Sequence, residues 1–326
     1  MSVLYPLKFV PIYKDKIWGG QKLRTILNKN FGSLPNCGES WEISGVKDNE
    51  SVVAEGELMG KSLPQLLEQY KEKLAGTKVY ARYGNEFPLL IKFLDANDDL
   101  SIQVHPNDEQ ALAKHQSFGK TEMWYIFQAD EGAKLITGFK KDLDRESYLE
   151  YFNNGKLSDV LNEEEVKAGD VFFIPAGRVH TIGKGICIAE IQQTSDVTYR
   201  IFDFDRVDDK GQKRELHVEE ALDVLDFKSY PEYKTNYTDV IGEAVSLVDC
   251  EYFTTNKIIC QEPLSRNYAA IDSFVIFICF SGSFSIIYDR IEVQVVQGES
   301  VLIPAEVNNL TIAPSPSASI LEVYIK

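Results

Sequence analysis

Short runs of β-branched and aromatic residues, separated by Gly, Asp and Asn, dominate the chain. Each such run predicts a β-strand closed by a turn. The clearest are Val171–Ile174, Ile186–Ile191, Phe274–Phe280, Phe284–Tyr288, Val293–Val296, Val301–Ile303 and Ile320–Ile325. The run through Phe280 is expected to stop at Ser281-Gly282-Ser283. Helical periodicity is confined to insertions. Ser62-Leu-Pro-Gln65 reads as a capping box, and Leu63, Leu66, Leu67, Tyr70 and Leu74 make one apolar stripe before Gly76. Residues 107–117, residues 144–153 and the stripe Val218, Ala221, Leu222, Leu225 predict further short helices. The expected class is therefore mainly β.

A repeat organises these strands. Gly169-Asp-Val-Phe-Phe-Ile-Pro175-Ala-Gly-Arg-Val-His180 aligns with Gly298-Glu-Ser-Val-Leu-Ile-Pro304-Ala-Glu-Val-Asn-Asn309. In each copy a glycine opens a tight turn before a buried strand, and a proline ends that strand. The second copy has Glu306 where the first has Gly177, and Asn309 where the first has His180. Two double-stranded β-helix (jelly-roll) units with small helical insertions account for this pattern. They are expected at 1–230 and 231–326, with the second unit lacking metal ligands.

Gln103 and His105 are two residues apart, as are Lys120 and Glu122. Residues two apart on a strand face the same side. Two strands can thus aim all four side chains into one cavity, and a third can deliver His180. One amide oxygen, two imidazoles and one carboxylate suit Zn²⁺ with positions left open. Fe(II) accepts the two-histidine, one-carboxylate subset. The spacing Gly-x5-Pro-x-Gly-x2-His from Gly169 to His180 resembles the second signature of the cupin superfamily, and Gln103, His105 and Glu122 fill the slots of the first. His115 is expected to be exposed on a helix, and His217 is assigned no role.

Charge narrows the partners. A net charge of −16 argues against nucleic acid or an anionic membrane. It leaves room for an anionic small molecule held by a pocket's own Lys or Arg. No apolar run approaches the roughly 20 residues of a membrane helix, and Met1-Ser-Val-Leu-Tyr-Pro shows no signal pattern, so cytoplasmic residence is the expectation. Five scattered cysteines (Cys37, Cys187, Cys250, Cys260, Cys279) without a Cys-x-x-Cys spacing read as reduced thiols. Asn162–Glu165 and Asp208–Arg214 read as solvated surface.

Glu190 and Arg200 lie ten residues apart, either as a structural ion pair or as a catalytic acid and cation. Trp18 and Trp41 read as buried aromatics or as pocket wall, with Trp18 the better candidate for the wall because Lys16 and two glycines flank it. The motifs Ile17–Gly20, Gly38–Ser44, Leu89–Leu94, Ser101–Asn107, Gly119–Trp124, Gly169–His180 and Glu190–Arg206 together resemble the type I mannose-6-phosphate isomerases of the shorter bacterial class, in family order. That resemblance implies one zinc on Gln103, His105, Glu122 and His180, with Arg200 an active-site residue and Lys120 and Glu190 in the same pocket. The implied reaction interconverts mannose 6-phosphate and fructose 6-phosphate through an enediol or enediolate. Arg200, Lys120 and Glu190 are then the catalytic candidates, and Trp18, Lys120 and Arg200 the substrate-facing ones. Two other readings remain at this point: a non-catalytic sugar-phosphate-binding cupin, and an iron-dependent cupin dioxygenase, which would favour a third histidine at position 103. The residues leave the oligomeric state open.

Overall fold

Both copies of the glycine–strand–proline repeat occupy matching points of the fold. Gly169 (φ 94°) and Gly298 (φ 87°) take the left-handed backbone that only glycine adopts without strain. Strands Val171–Ile174 and Ser300–Ile303 follow them, and His180 and Asn309 each open the next strand. The computed structural model from which this is read describes residues 4–207 and 211–326.

Eleven strands come from the first two-thirds of the chain: β1 (Ile12–Lys14), β2 (Glu39–Ser44), β3 (Leu89–Ala96), β4 (Ile102–Val104), β5 (Glu122–Ala129), β6 (Lys134–Phe139), β7 (Leu161–Glu165), β8 (Val171–Ile174), β9 (His180–Ile182), β10 (Ile186–Gln193) and β11 (Tyr199–Phe202). They form two antiparallel sheets, ordered β1-β2-β3-β10-β5-β8 and β11-β4-β9-β6-β7. A third sheet holds β12 (Ala244–Asp249), β13 (Thr254–Cys260), β14 (Leu264–Asn267), β15 (Val275–Tyr288), β16 (Ile291–Val296), β17 (Ser300–Ile303) and β18 (Asn309–Tyr324).

Every residue of β3 and β10 is buried, because the first sheet is covered on both faces. Leu94, Trp124, Ile126 and Ile188 point toward the second sheet. Leu89, Ile91, Phe93 and Met123 pack on the other side, in one cluster with Leu66, Leu74, Phe274, Ile276, Leu302 and Val323. That cluster joins the third sheet to the first. Leu7 adds a bridge to Leu302 through reciprocal backbone hydrogen bonds of 2.8 and 2.9 Å.

Several expectations need correction. The strand through Phe280 does not stop at Ser281-Gly282-Ser283. It runs from Val275 to Tyr288, because two β-bulges and a positive φ at Gly282 bend it without ending its pairing to β18. The apolar stripe from Leu63 to Leu74 is buried as expected, and Gln65 reaches back to the Ser62 amide at 3.0 Å. The helix nevertheless breaks at Lys71 (φ 49°), giving Leu63–Tyr70 and Glu72–Ala75. Residues 162–165 are at the surface as expected, on the edge strand β7, where Glu163 pairs with Lys134. The other helices fall where periodicity placed them, at Asp108–His115, Arg145–Asn153 and Val218–Val224. All five cysteines are free thiols. No helix among the described residues is long and apolar enough to cross a membrane.

Candidate active site

Two rows of side chains, one from each sheet, meet between the sheets. In the first sheet Trp41, Lys92, Glu190 and Trp124 are consecutive register partners across β2, β3, β10 and β5. In the second, Arg200, Gln103, His180 and Thr137 are partners across β11, β4, β9 and β6. Register alone therefore brings together residues from eight strands.

At the meeting point stand His105, Glu122 and His180, each about 1% exposed, with ligand atoms within 4.8 Å of one another. His105 Nε2 is 3.7 Å and His180 Nε2 3.5 Å from the Glu122 carboxylate. Each imidazole has its Nδ1 against a backbone carbonyl, Val197 at 2.9 Å and Arg178 at 2.8 Å. That contact fixes the proton on Nδ1 and leaves the Nε2 lone pair facing inward. His105 Nε2 and both Glu122 oxygens are buried without a hydrogen-bond partner. Orphaned acceptors of this kind are costly unless a cation meets them. The donor set thus fits a divalent ion. Gln103 reaches the cluster through Nε2, 3.3 Å from His180 Nε2, while its Oε1 faces Ser101. A half-turn of the amide would present the oxygen instead.

The titration of these groups follows from burial. Desolvation carries both imidazoles down, His180 to about 4 and His105 well below the usual histidine range, with the Lys120 charge adding to each. Burial first, then the Glu190 charge, raises Glu122 to about 7 against Lys120 and Lys92. These values describe the cluster without a cation. An ion would bring the carboxylate down sharply.

A cavity of about 390 Å³ lies beside the cluster, lined by Trp18, Gln103, Lys120, Glu190, Arg200 and Arg214 among others. Lys120 precedes β5, and its Nζ lies 3.4 Å from Glu122. Gly119 allows this: a Cβ there would come within 2.5 Å of the Asn107 backbone. Glu190 does not pair with Arg200. It meets Lys92 at 3.0 Å and accepts from Trp124 Nε1 at 3.0 Å. Burial opposes its ionisation, but Lys92 and Lys120 prevail and hold it below the usual carboxylate range. Arg200 is gripped by His217, whose amide donates to the Arg200 carbonyl at 2.7 Å while its Nδ1 accepts the Arg200 amide at 3.3 Å. His217 so gains a supporting role the sequence did not suggest. His115 is exposed and contacts Tyr199 at 2.8 Å, away from this cavity.

Lys92, Glu39, Lys16 and Arg214 also line the cavity. A lysine amid the apolar run Leu89–Leu94 was a readable signal, since buried lysines are rare without a partner. Residues 211–213 are exposed as expected, and only Arg214 departs from the reading of 208–214 as surface. It bonds Asp203 and faces the cavity, whereas residues 208–210 lie outside the described residues.

Residues 6–138 match the family model described as phosphomannose isomerase type I, catalytic domain, and residues 243–324 match that of the mannose-6-phosphate isomerase cupin domain. The mannose-6-phosphate isomerase ManA of Bacillus subtilis is 38% identical over 77% of this chain and 78% of its own. The mannose-6-phosphate isomerase of Streptococcus mutans is 42% identical over 74% of this chain and 75% of its own. A crystal structure of the mannose 6-phosphate isomerase from Bacillus subtilis superposes with a TM-score of 0.89 at 31% identity, covering 98% of this chain and 99% of that one. The fold and site define a two-sheet cupin enzyme with a second, cupin-like sheet domain. The chain belongs to the type I phosphomannose isomerase family.

Proposed function

We propose that this enzyme is a zinc-dependent aldose–ketose isomerase that interconverts mannose 6-phosphate and fructose 6-phosphate through an enediol or enediolate. One observation carries the reading: a buried His105–Glu122–His180 cluster with orphaned acceptors lies beside a cavity lined by Glu190, Lys120 and Arg200. A volume near 390 Å³ suits one small polar ligand. Catalysis is assigned to the unit 1–230, with 231–326 a cupin-like unit that has lost the ligands, and residence to the cytoplasm.

The barrier is the weak acidity of a C–H beside a carbonyl. Zinc on His105, Glu122, His180 and the Gln103 amide would supply Lewis-acid polarisation of the sugar oxygens. Glu190, ionised and buried against Lys92, removes the C2 proton of the open-chain aldose and returns it at C1. In the same sequence O1 gains a proton and O2 loses one, so the formula is unchanged. Lys120 donates to the oxygen on which negative charge grows, while Arg200 holds the anionic end of the substrate in the same cavity. Trp18 and Trp41 wall the cavity and limit water at the enediolate.

A coupled assay of fructose 6-phosphate formation, run with elemental analysis before and after a chelator, tests the proposal. Turnover lost with zinc and restored by zinc supports it. Sugar-phosphate binding without turnover, or iron with oxygen consumption, would replace it.

A further inference from the structure

Three lysines bordering the metal cluster or the first sheet's row have carboxylate partners, Lys16 with Glu39 at 3.1 Å, Lys92 with Glu190 at 3.0 Å and Lys120 with Glu122 at 3.4 Å, and Lys14 beside them is held by Asn49 and the Trp41 ring. The opposite end of the cavity differs. Arg200 gives Nη1 to the Glu215 carbonyl at 2.8 Å, its buried Nε has no partner, and no carboxylate among the described residues pairs with it. Arg214 lines the same cavity and donates Nε to Asp203 at 2.7 Å. Asp203 is not its own, because Arg206 donates to the same carboxylate at 2.6 Å. Asp196, the one further acid at this end of the lining, is exposed at the rim.

Two guanidiniums on one cavity wall repel, Asp203 offsets part of that repulsion, and a ligand anion between them would offset more. A planar fork with donors to spare matches a phosphate better than any other small anion of a sugar derivative. Asp203 engages two of the five Arg214 donors, leaving the rest for a ligand. Direction is set by the sheet. Arg200, Gln103 and His180 follow one another across three neighbouring strands, so about 10 Å separates the Arg200 and His180 backbones at roughly 4.8 Å per strand. A six-carbon chain can span that distance with its phosphate at one end and its carbonyl at the other.

We propose that Arg214 is a specificity-determining residue that, with Arg200, clamps the substrate's phosphate dianion. The inference rests on the isomerase reading for the rest of the substrate, but the anion site stands on its own contacts. Asp203 is the positioning residue: it locks the Arg214 fork in the orientation that faces the cavity.

The test uses the full-length zinc-loaded enzyme and its Arg214→Gln and Arg214→Ala variants. Three quantities are measured: KM and kcat for mannose 6-phosphate, Kd for inorganic phosphate by calorimetry, and bound zinc. Loss of a charge-assisted contact predicts KM and phosphate Kd raised roughly tenfold or more in both variants, with zinc unchanged and the loss falling on KM rather than kcat. Arg214→Gln retains a side chain able to hydrogen-bond Asp203, so its loss reports the charge even if Arg214→Ala fails to fold. Unchanged KM and Kd, or a fall in kcat alone, would overturn the clamp. Wild-type enzyme that binds phosphate through Arg214 yet forms no fructose 6-phosphate would instead remove the isomerase reading and keep the site.

Discussion

Lys92 and Glu190 are direct register partners on β3 and β10, and their side chains meet at 3.0 Å with each about 5% exposed. A buried carboxylate left alone would take up a proton, so the lysine keeps Glu190 ready as a base. Lys92→Met keeps the length of the chain and removes the charge. Burial then acts unopposed by its nearest cation, and the Glu190 pKa rises. The acid limb of kcat/KM should move to higher pH, and breaking the buried pair should cost roughly 3–5 kcal/mol of stability. A pH–rate profile whose acid limb stays in place would exclude Glu190 as the titrating base.

Glu39 offers a stability test apart from catalysis. Burial raises its pKa, but Lys92, Lys16 and the Trp41 indole outweigh burial and bring it to about 2 from an ordinary 4.5. A depressed folded-state value stabilises the fold above the unfolded value, and that stability is lost as pH falls through the folded one. The window is therefore about pH 4.5 down to 2, with a contribution on the order of 3 kcal/mol. Glu39→Gln should flatten the fall in unfolding free energy across that window relative to wild type. Parallel denaturation curves at pH 5, 4 and 3 would show Glu39 to be uncoupled.

Arg200 sits one strand from Gln103 with an unpartnered Nε, and its proposed part in turnover can be tested directly. Arg200→Ala should lower kcat/KM by at least ~10²-fold while bound metal and the thermal melt stay at wild-type values. Its backbone contacts to His217 survive the substitution, so a collapsed loop is not the expected route to inactivity. Wild-type-like turnover would remove the side chain from the mechanism.

Much of this site is legible in the sequence, because β-strand chemistry is written with a period of two. That rule pointed Gln103 with His105 and Lys120 with Glu122 toward one site, although His105 lies just past β4 and Lys120 just before β5. The Gly169–His180 repeat located the third strand by the conformational demands of glycine and proline. What escaped was set by cross-strand register, which no local pattern carries. Lys92 is assigned to Glu190 only through the β3–β10 ladder, and His217 to Arg200 only through a backbone clamp. Arg214 was hidden for a related reason: a charged residue in a polar loop looks solvated until Asp203 is seen to turn it inward. The break at Lys71 and the bulges at Ser281 and Gly282 were equally invisible, since tertiary packing overrode local propensity there.

The duplicated repeat supplies its own control for the metal. His180 and Asn309 each open a strand after the same glycine–strand–proline sequence, but His180 is buried with Nε2 toward Glu122, whereas Asn309 is exposed and accepts from Asn267 at 2.8 Å. Removing one of three convergent ligands should lower metal affinity by orders of magnitude, and turnover with it. His180→Ala should therefore lose both bound metal and activity, while Asn309→Ala should keep both. Elemental analysis and the coupled assay read the two variants side by side. Retained zinc in His180→Ala would show that the ion sits elsewhere, and lost zinc in Asn309→Ala would show that the second copy is not silent.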